Sequence, residues 1–303
     1  MSSPGPFRRM RRGLQYPLAI VLVQLCRRMP GWLVWPAATA LGLALSLLPG
    51  RSRRIFRINV KHAAVPMGLR VRLWRVYRNL AAGVLDYLRL SFCPDGKFFG
   101  KVEVRGAEHM EDALSKGRGV IAITAHYSAW ELIPRAVSLL GHGVGVVTRR
   151  VGRGKTAEYI DSLRSRHGIL TIDRGSGFPA LMRALRDGRA VGILIDQDTM
   201  GVDSDFVRFL GLEARTPVGP ARIALRFGVP VLTLHISRGR NGSYTVEIDE
   251  PLDPEDYGSA DGHLRLTADL TDRIGEWVID DPEQWVWIHE RWARRPGGAP
   301  GLE

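Results

Sequence analysis

The chain has 303 residues, 45% of them hydrophobic, which is enough for a sizeable core and excludes a globally disordered protein. Its two cysteines, Cys26 and Cys93, lie far apart, which argues against a disulfide framework or a cysteine-based metal site and fits a reducing compartment. The net charge of +12 is unevenly distributed, because residues 1–80 hold fourteen Arg and one Lys without Asp or Glu, and residues 81–303 sum to −3. A basic front of this kind is typical of proteins that bind nucleic acid or anionic lipid.

Two uncharged apolar runs, 14–26 and 31–48, lie within this front with arginines on both sides. Nucleic-acid-binding arms are seldom so apolar, so we interpret the segment as membrane-associated and expect no nucleic-acid partner. The second run is about long enough to cross a ~30 Å hydrocarbon core, whereas the first is too short. Basic flanks favour a shallow hairpin, or one inserted helix beside one interfacial helix. A signal peptide is the alternative, but no A-x-A cleavage site follows the first run.

Residues 69–88 carry apolar side chains at steps of three and four, which predicts an amphipathic helix. Arg72, Arg75 and Arg78 lie off that stripe. They either form a solvated face or contact lipid phosphates.

From residue 101 onward, short β patterns alternate with helical patterns, which predicts an α/β fold with a mixed, largely parallel sheet flanked by helices. The last strand is expected to be antiparallel. We expect a membrane anchor at 1–50, a main domain at 51–295 (helical lead-in 51–100, α/β core 101–295) and a tail at 296–303. The strands are predicted at 101–106, 119–125, 143–148, 169–173, 190–196, 229–237 and 243–250, and the helices at 107–117, 129–140, 156–168, 178–188, 216–228 and 262–280.

Four predicted strands end in residue types that carry chemistry, and ligands bind at the carboxyl ends of strands in open α/β sheets. These ends are His126, Arg149–Arg150, Asp173–Arg174 and Asp196–Gln197–Asp198. The sequence has no G-x-S-x-G elbow, P-loop or metal-ligand spacing, so we predict no metal. A base without a protein nucleophile indicates direct activation of a substrate hydroxyl.

Glu131 follows His126 by five residues and has two possible roles. If His126 precedes the helix, the carboxylate can orient its ring; inside one helix the two would lie roughly 140° apart. Alternatively, Ser128 and Glu131 form a capping box, S-x-x-E, in which Glu131 bonds only backbone. The spacing alone leaves both roles open.

The stretch "AITAHYSAWEL" resembles the H-x4-D/E motif of the lipid A biosynthesis late acyltransferases, the lauroyl/myristoyl transferase family within the glycerolipid acyltransferase superfamily. Further blocks agree in the same order, among them "RSRRIFRINVKHA", "LRSRHGILTIDR" and "DPEQWVWIHERW". The resemblance covers roughly residues 30–295.

The resemblance implies a glycerolipid acyltransferase-like fold in which 51–295 is an acyltransferase domain. The enzyme would lie on the cytoplasmic face of the inner membrane and transfer a fatty acyl chain from acyl carrier protein, or acyl-CoA, to a hydroxyl of a lipid A precursor. It implies no cofactor and no covalent acyl-enzyme. The residues carried over are His126 as base, Glu131 as its partner, and, as substrate-binding positions, Arg149, Arg164, Arg174, Asp196 and Asp198. The two aspartates have a second possible role, which is to hold arginines or cap the next helix.

Three other functions remain open at this stage. The same chemistry can act on another lipid acceptor, such as a glycerophospholipid, an ornithine lipid or a phosphatidylinositol mannoside. Water can attack the thioester, which makes the protein a hydrolase. A non-catalytic protein that binds anionic lipid through its basic front is the third.

Overall fold

The protein is described by a computed structural model covering residues 6–149, 155–298 and 301–302. Arg150, predicted at a strand end, lies outside this part of the chain. Helices occupy the first third, as the sequence predicts for the lead-in. They are α1 (Pro6–Arg28), α2 (Gly31–Leu47), α3 (Arg51–Asn59), α4 (Leu73–Leu90) and α5 (Asp95–Phe99).

A seven-stranded sheet forms the centre of the remaining chain, with the strand order β1-β9-β8-β2-β5-β3-β4. Every neighbouring pair is parallel except β8 and β9, which confirms the predicted mixed, largely parallel sheet. The strands are β1 (Val102–Arg105), β2 (Val120–Thr124), β3 (Val144–Thr148), β4 (Leu170–Asp173), β5 (Ala190–Leu194), β8 (Val231–Arg238) and β9 (Tyr244–Ile248).

Helices cover both faces of the sheet, which is why the central strands are apolar without alternation. One face packs against α9, α10 and α11, and the other against α6 and α7. A 3-10 turn at Trp130–Leu132 leads into α7. The helices are α6 (Ala107–Ser115), α7 (Ile133–Leu139), α8 (Lys155–Ser165), α9 (Phe178–Arg186), α10 (Gly219–Phe227) and α11 (Gly262–Asp280).

An antiparallel hairpin between β5 and α10 corrects the sequence interpretation. Its strands are β6 (Ser204–Phe209) and β7 (Leu212–Pro217), whereas a helix was expected from residue 216. Leu210 and Gly211 connect them with φ values of 47° and 79°, the two positive values that a tight type I′ turn needs. Pro217 ends β7, and α10 begins two residues later.

The lead-in helices pack against one another through α4. Gly42 of α2 lies so close to the α4 backbone that a Cβ there would be 2.5 Å from the Trp74 carbonyl oxygen. Two of the three arginines have partners within the protein: Arg75 forms an ion pair with Glu283 at 3.0 Å, and the Arg78 guanidinium stacks 4.1 Å from the Trp35 ring. Arg72 is exposed. Arg75 therefore ties α4 to the C-terminal part of the chain, and Arg78 ties it to α2.

Among the described helices, none is by itself long and apolar enough to cross a membrane. The bent pair Gly31–Leu47 and Arg51–Met67, with 94° between its halves, meets the length and composition requirement only when both are taken together.

Candidate active site

The register of β2 and β5 brings two side chains together at the carboxyl edge of the sheet. Thr124 pairs with Leu194, so the residues two positions later, His126 and Asp196, lie side by side. Nδ1 of the His126 ring is 2.8 Å from Oδ1 of Asp196. The imidazole is partly exposed, whereas the carboxylate is fully buried.

Asp196 is surrounded by groups that favour its charged form. Its Oδ2 accepts hydrogen bonds from the His126 backbone N–H at 3.0 Å and from Nε1–H of Trp285 at 2.9 Å. Burial raises the pKa of this carboxyl, but the His126 ring, its hydrogen bond, His289 and Trp285 outweigh burial and hold the pKa well below its usual range. A carboxylate only accepts, so Nδ1 of His126 carries the hydrogen and Nε2 keeps a free lone pair. A neutral imidazole held in this way is a general base.

The structure corrects the partner expected for His126. Glu131 instead forms a bidentate salt bridge with Arg164, with Oε1 2.7 Å from Nη2 and Oε2 3.1 Å from Nε. The capping box is not formed either, because the N-cap of the following turn is Ala129 rather than Ser128, and the Glu131 carboxylate is paired with Arg164. Trp130, between the two, places its ring edge-on to His126 with centroids 5.1 Å apart.

The register of β3 and β4 likewise makes Arg149 and Arg174 neighbours. Thr148 pairs with Asp173, and the backbone N–H of Arg174 donates to the Thr148 carbonyl at 2.8 Å. Partial burial and the adjacent Arg149 charge both lower the pKa of Arg174, against the attraction of Asp173. Within the described residues neither guanidinium has a salt-bridge partner. Two exposed positive charges therefore lie next to each other at the carboxyl edge of the sheet.

Asp198 points its carboxylate at the C-terminal segment. Oδ2 accepts from Nε of Arg294 at 2.7 Å, a second contact joins Oδ1 to the same guanidinium, and Nη1 of Arg215 lies 3.4 Å from Oδ1. Only 3% of the side chain is exposed. The carboxylate thus serves the second role considered above, which is to hold arginines.

All seven predicted site residues except Asp196 line one open cleft, and Asp196 lies directly behind its wall. A narrower, apolar pocket adjoins this cleft and runs between the sheet and α7. Residues common to both are Trp130, Glu131, Val147, Thr148, Arg164 and Leu194. The cleft carries three arginines and three carboxylates among apolar side chains, whereas the pocket is lined almost entirely by hydrocarbon.

Sequence reasoning missed the residues that the C-terminal segment contributes to this site. Trp285 donates its indole N–H to the Asp196 carboxylate. Both ring nitrogens of His289 are shielded from solvent beside Asp196, and burial lowers the pKa of this histidine to about 3. Arg291 is also buried, which lowers its pKa to about 10, and it donates to the Arg215 carbonyl and to Thr216. The dense sequence "WVWIHERWARR" was the only signal.

No three His, Cys, Asp or Glu side chains among the described residues are grouped so that they can hold a metal ion.

Comparison with known proteins decides the family. The sequence model for the bacterial lipid A biosynthesis acyltransferases matches residues 6–294. The chain belongs to this family. It is an acyltransferase, as its relatives are. It is 26% identical over 291 residues to a lipid A biosynthesis lauroyltransferase of Escherichia coli (strain K12), covering 93% of this chain and 92% of that protein.

Other relatives are named for a different lipid. The acyltransferase is 25% identical over 216 residues to a phosphatidylinositol mannoside acyltransferase of Mycolicibacterium smegmatis, covering 68% of this chain and 67% of that protein. Among solved structures, the 1-acyl-sn-glycerophosphate acyltransferase of Thermotoga maritima gives a TM-score of 0.39 at 17% identity, over 76% of this chain and 96% of that one.

Proposed function

We propose that this acyltransferase moves a fatty acyl chain from the thioester of acyl carrier protein to a hydroxyl of a lipid A precursor, with His126 as general base. The observation that carries the proposal is the His126–Asp196 pair, which lies at a cleft that holds Arg149 and Arg174 and adjoins an apolar pocket. Such a site supplies a base that can activate a hydroxyl, arginines that can bind a phosphate group and an apolar pocket that can hold an acyl chain.

The chemistry needs no covalent intermediate on the protein. Nε2 of His126 takes the proton of the acceptor hydroxyl as its oxygen attacks the thioester carbonyl carbon. Asp196 stabilises the imidazolium that forms. The tetrahedral intermediate then expels the thiolate, which receives the same proton from His126. The products are an ester and the free thiol of the carrier.

The apolar pocket supports binding of the acyl chain. Alternation along β2, β3 and β5 turns every second residue toward α7, and three of those residues are the small Ala122, Ala190 and Gly192. Small side chains in the middle of the sheet leave a channel that larger ones would fill. Met110 and Val137 also line it.

Arg149 and Arg174 support recognition of a phosphate group on the acceptor. Guanidinium groups bind phosphate oxygens in a bidentate manner, and an anion between two adjacent cations relieves their repulsion. Arg164 lines the same cleft but is already paired with Glu131. We therefore assign phosphate binding to Arg149 and Arg174 and assign shaping of the cleft to Arg164.

The first two helices support attachment to the cytoplasmic face of the inner membrane. Leu18, Val21, Leu22 and Leu25 are exposed at steps of three and four on α1, with side chains 50–70% accessible. Trp32 and Leu47 of α2 are similarly exposed. An apolar stripe of this kind beside a basic front lies in a lipid interface that carries negative charge.

Another lipid acceptor is the second candidate, because family members include the phosphatidylinositol mannoside acyltransferases. Both acceptors are phosphorylated, so the arginine pair suits either. The difference lies in the sugar and hydroxyl that meet His126.

One experiment separates these functions. Detergent-solubilised protein is incubated with acyl carrier protein bearing a labelled acyl chain and with a panel of lipid A precursors, phosphatidylinositol mannosides, ornithine lipid and glycerophospholipids. The proposal predicts an acylated lipid A precursor by mass spectrometry. Acylation of another lipid supports the second candidate. Free fatty acid released at the same rate with and without acceptor contradicts both and indicates a hydrolase.

A further inference from the structure

The loop that carries His126 is held by a distant segment of the chain. Ser128 N–H donates to the Gln284 carbonyl at 2.8 Å, and Val286 N–H donates to the His126 carbonyl at 3.2 Å. Between these two bonds, Tyr127 and Trp285 form an antiparallel bridge. The segment 284–286 is thus in register with the loop 126–128.

Trp285 extends this support from the backbone to the carboxylate. Its side chain is fully buried, and the indole N–H donates to Oδ2 of Asp196 at 2.9 Å. The other hydrogen bond to Oδ2 comes from the His126 backbone at 3.0 Å. Because an oxygen of a carboxylate accepts along two main directions, Oδ2 is occupied, and only Oδ1 is left to meet the imidazole.

We infer that Trp285 is a positioning residue for acyl transfer, whose indole N–H fixes the Asp196 carboxylate so that Nε2 of His126 is presented to the acceptor hydroxyl. This inference rests on the proposed function of the site. Trp285 touches neither acyl donor nor acceptor and acts through Asp196. An isolated buried carboxylate can rotate or take up a proton, and the indole bond opposes both.

The charges around the pair determine the direction of the effect on pH dependence. His289 and Arg291 face Asp196 from the C-terminal segment, and Asp198 lies two residues away, held by Arg215 and Arg294. Removal of the indole N–H alters none of these charged groups. Without that donor the carboxylate is less well stabilised, so the His126–Asp196 pair keeps its proton to higher pH.

Trp285→Phe tests this inference, with Trp292→Phe as the matched control. Trp292 is equally buried in the same aromatic cluster, stacked on Phe209, but its Nε1–H has no hydrogen-bond partner among the described residues. We expect Trp285→Phe to lower kcat about tenfold with KM within about twofold, because the bond lost is to a charged acceptor. The acid limb of the pH profile should move up by about one pH unit. Trp292→Phe should change neither quantity.

A second readout does not depend on acyl transfer. Diethyl pyrocarbonate modifies neutral imidazole, and the pH midpoint for modification of His126, measured on its peptide by mass spectrometry, should rise in Trp285→Phe alone. If the phenylalanine variant fails to fold, benzothienylalanine incorporated at position 285 keeps the ring shape and removes only the N–H. An unchanged pH midpoint in the folded Trp285 variant overturns the inference even if the wild-type protein transfers acyl chains. A wild-type protein that transfers none, with the midpoint shifted, instead contradicts the proposed function.

Discussion

His289 shows how strongly the interior of this site disfavours positive charge. The ring lies edge-on to Trp285 with centroids 5.0 Å apart, and its two nitrogens are shielded from solvent without a hydrogen-bond partner among the described residues. Burial lowers its pKa to about 3, and His126 and Arg291 add to that effect against the attraction of Asp196. His289 is therefore neutral wherever the protein is folded at ordinary pH.

A neutral buried histidine makes stability depend on pH in a definite direction. The unfolded chain binds a proton below about pH 6.5, whereas the folded protein excludes it down to about pH 3, so stability falls as the pH falls through this window. We expect His289→Phe, which keeps a ring and cannot titrate, to reduce the loss of unfolding free energy between pH 6.5 and 4.5 by about 2 kcal/mol. Urea unfolding followed by tryptophan fluorescence measures this. Comparison at pH 7.5, where the unfolded histidine is mostly neutral, isolates the packing effect, and an unchanged pH slope refutes the prediction.

At the scale of elements, β5 supports both parts of the site. Its carboxyl end leads to Asp196, while Ala190 and Gly192 on the strand leave the space of the apolar pocket. A Cβ at Gly192 would lie 3.6 Å from Val146, an ordinary contact, so a side chain fits there and extends into the pocket. Glycine weakens a strand, which makes its presence here a matter of space rather than of stability.

Gly192→Val is expected to shorten the acyl chain that the enzyme prefers. Valine suits a strand, so stability should be kept or improved, while its two methyl groups occupy part of the channel. Competition between acyl carrier proteins that carry chains of different length, with products read by mass spectrometry, measures the preference. Gly192→Ala should give a smaller shift in the same direction. A preference that stays the same in both folded variants would show that the chain binds elsewhere.

The sequence predicted the chemical groups of the site better than their pairing. Periodicity located β2 and β5, and the residue types at their ends marked His126 and Asp196 as candidates. Which of these strands are neighbours depends on the order β8-β2-β5-β3-β4, and no local pattern encodes that order. The resemblance to the H-x4-D/E motif indicated Glu131 as the partner, whereas Asp196 is the residue adjacent to His126 in the folded sheet.

The β6–β7 hairpin was missed for a local reason. Leu210–Gly211 is an unusual turn pair, because leucine seldom adopts a positive φ, and the charged residues of both strands obscure their alternation. The consequence reaches the site, because β7 carries Arg215 and Thr216, which bind Asp198 and Arg291. Propensity and periodicity predicted the strands of the sheet, but not the hydrogen bonds and ion pairs that connect the sheet to the C-terminal segment.

At the scale of the whole molecule, the basic front and the exposed apolar stripe occupy the same part of the chain. The front contributes +15 in residues 1–80, and the stripe on α1 consists of leucine and valine. Packing of α1 and α2 on α4 ties this part to the loop after β2, because Gly83 of α4 lies against the Ser128 backbone. We expect a lipid surface to bind next to the cleft in which its own molecules react.

The triple variant Leu18→Glu, Leu22→Glu and Leu25→Glu is expected to bind vesicles of phosphatidylethanolamine and phosphatidylglycerol more than tenfold more weakly, because burial of each leucine contributes about 1.5–3 kcal/mol. Co-sedimentation measures the binding. The control is Phe227→Glu with Ile279→Glu, which removes similarly exposed apolar side chains from α10 and α11. Equal binding by the triple variant and the wild type would contradict the assignment of this surface.

The proposed mechanism depends on His126, held by Asp196, as the base that activates the acceptor hydroxyl. In Asp196→Asn the side-chain amide presents either an N–H donor or a weaker oxygen acceptor to Nδ1 of His126. The imidazole is then no longer held in the tautomer that carries its hydrogen on Nδ1 and leaves the Nε2 lone pair free. The most direct test is kcat/KM for acyl transfer from labelled acyl carrier protein by Asp196→Asn, with Asp203→Asn, a surface carboxylate paired with Arg222, as the control. We expect a loss on the order of 10²–10⁴-fold in Asp196→Asn with the fold retained, and none in Asp203→Asn. Wild-type activity in a folded Asp196→Asn protein would contradict it.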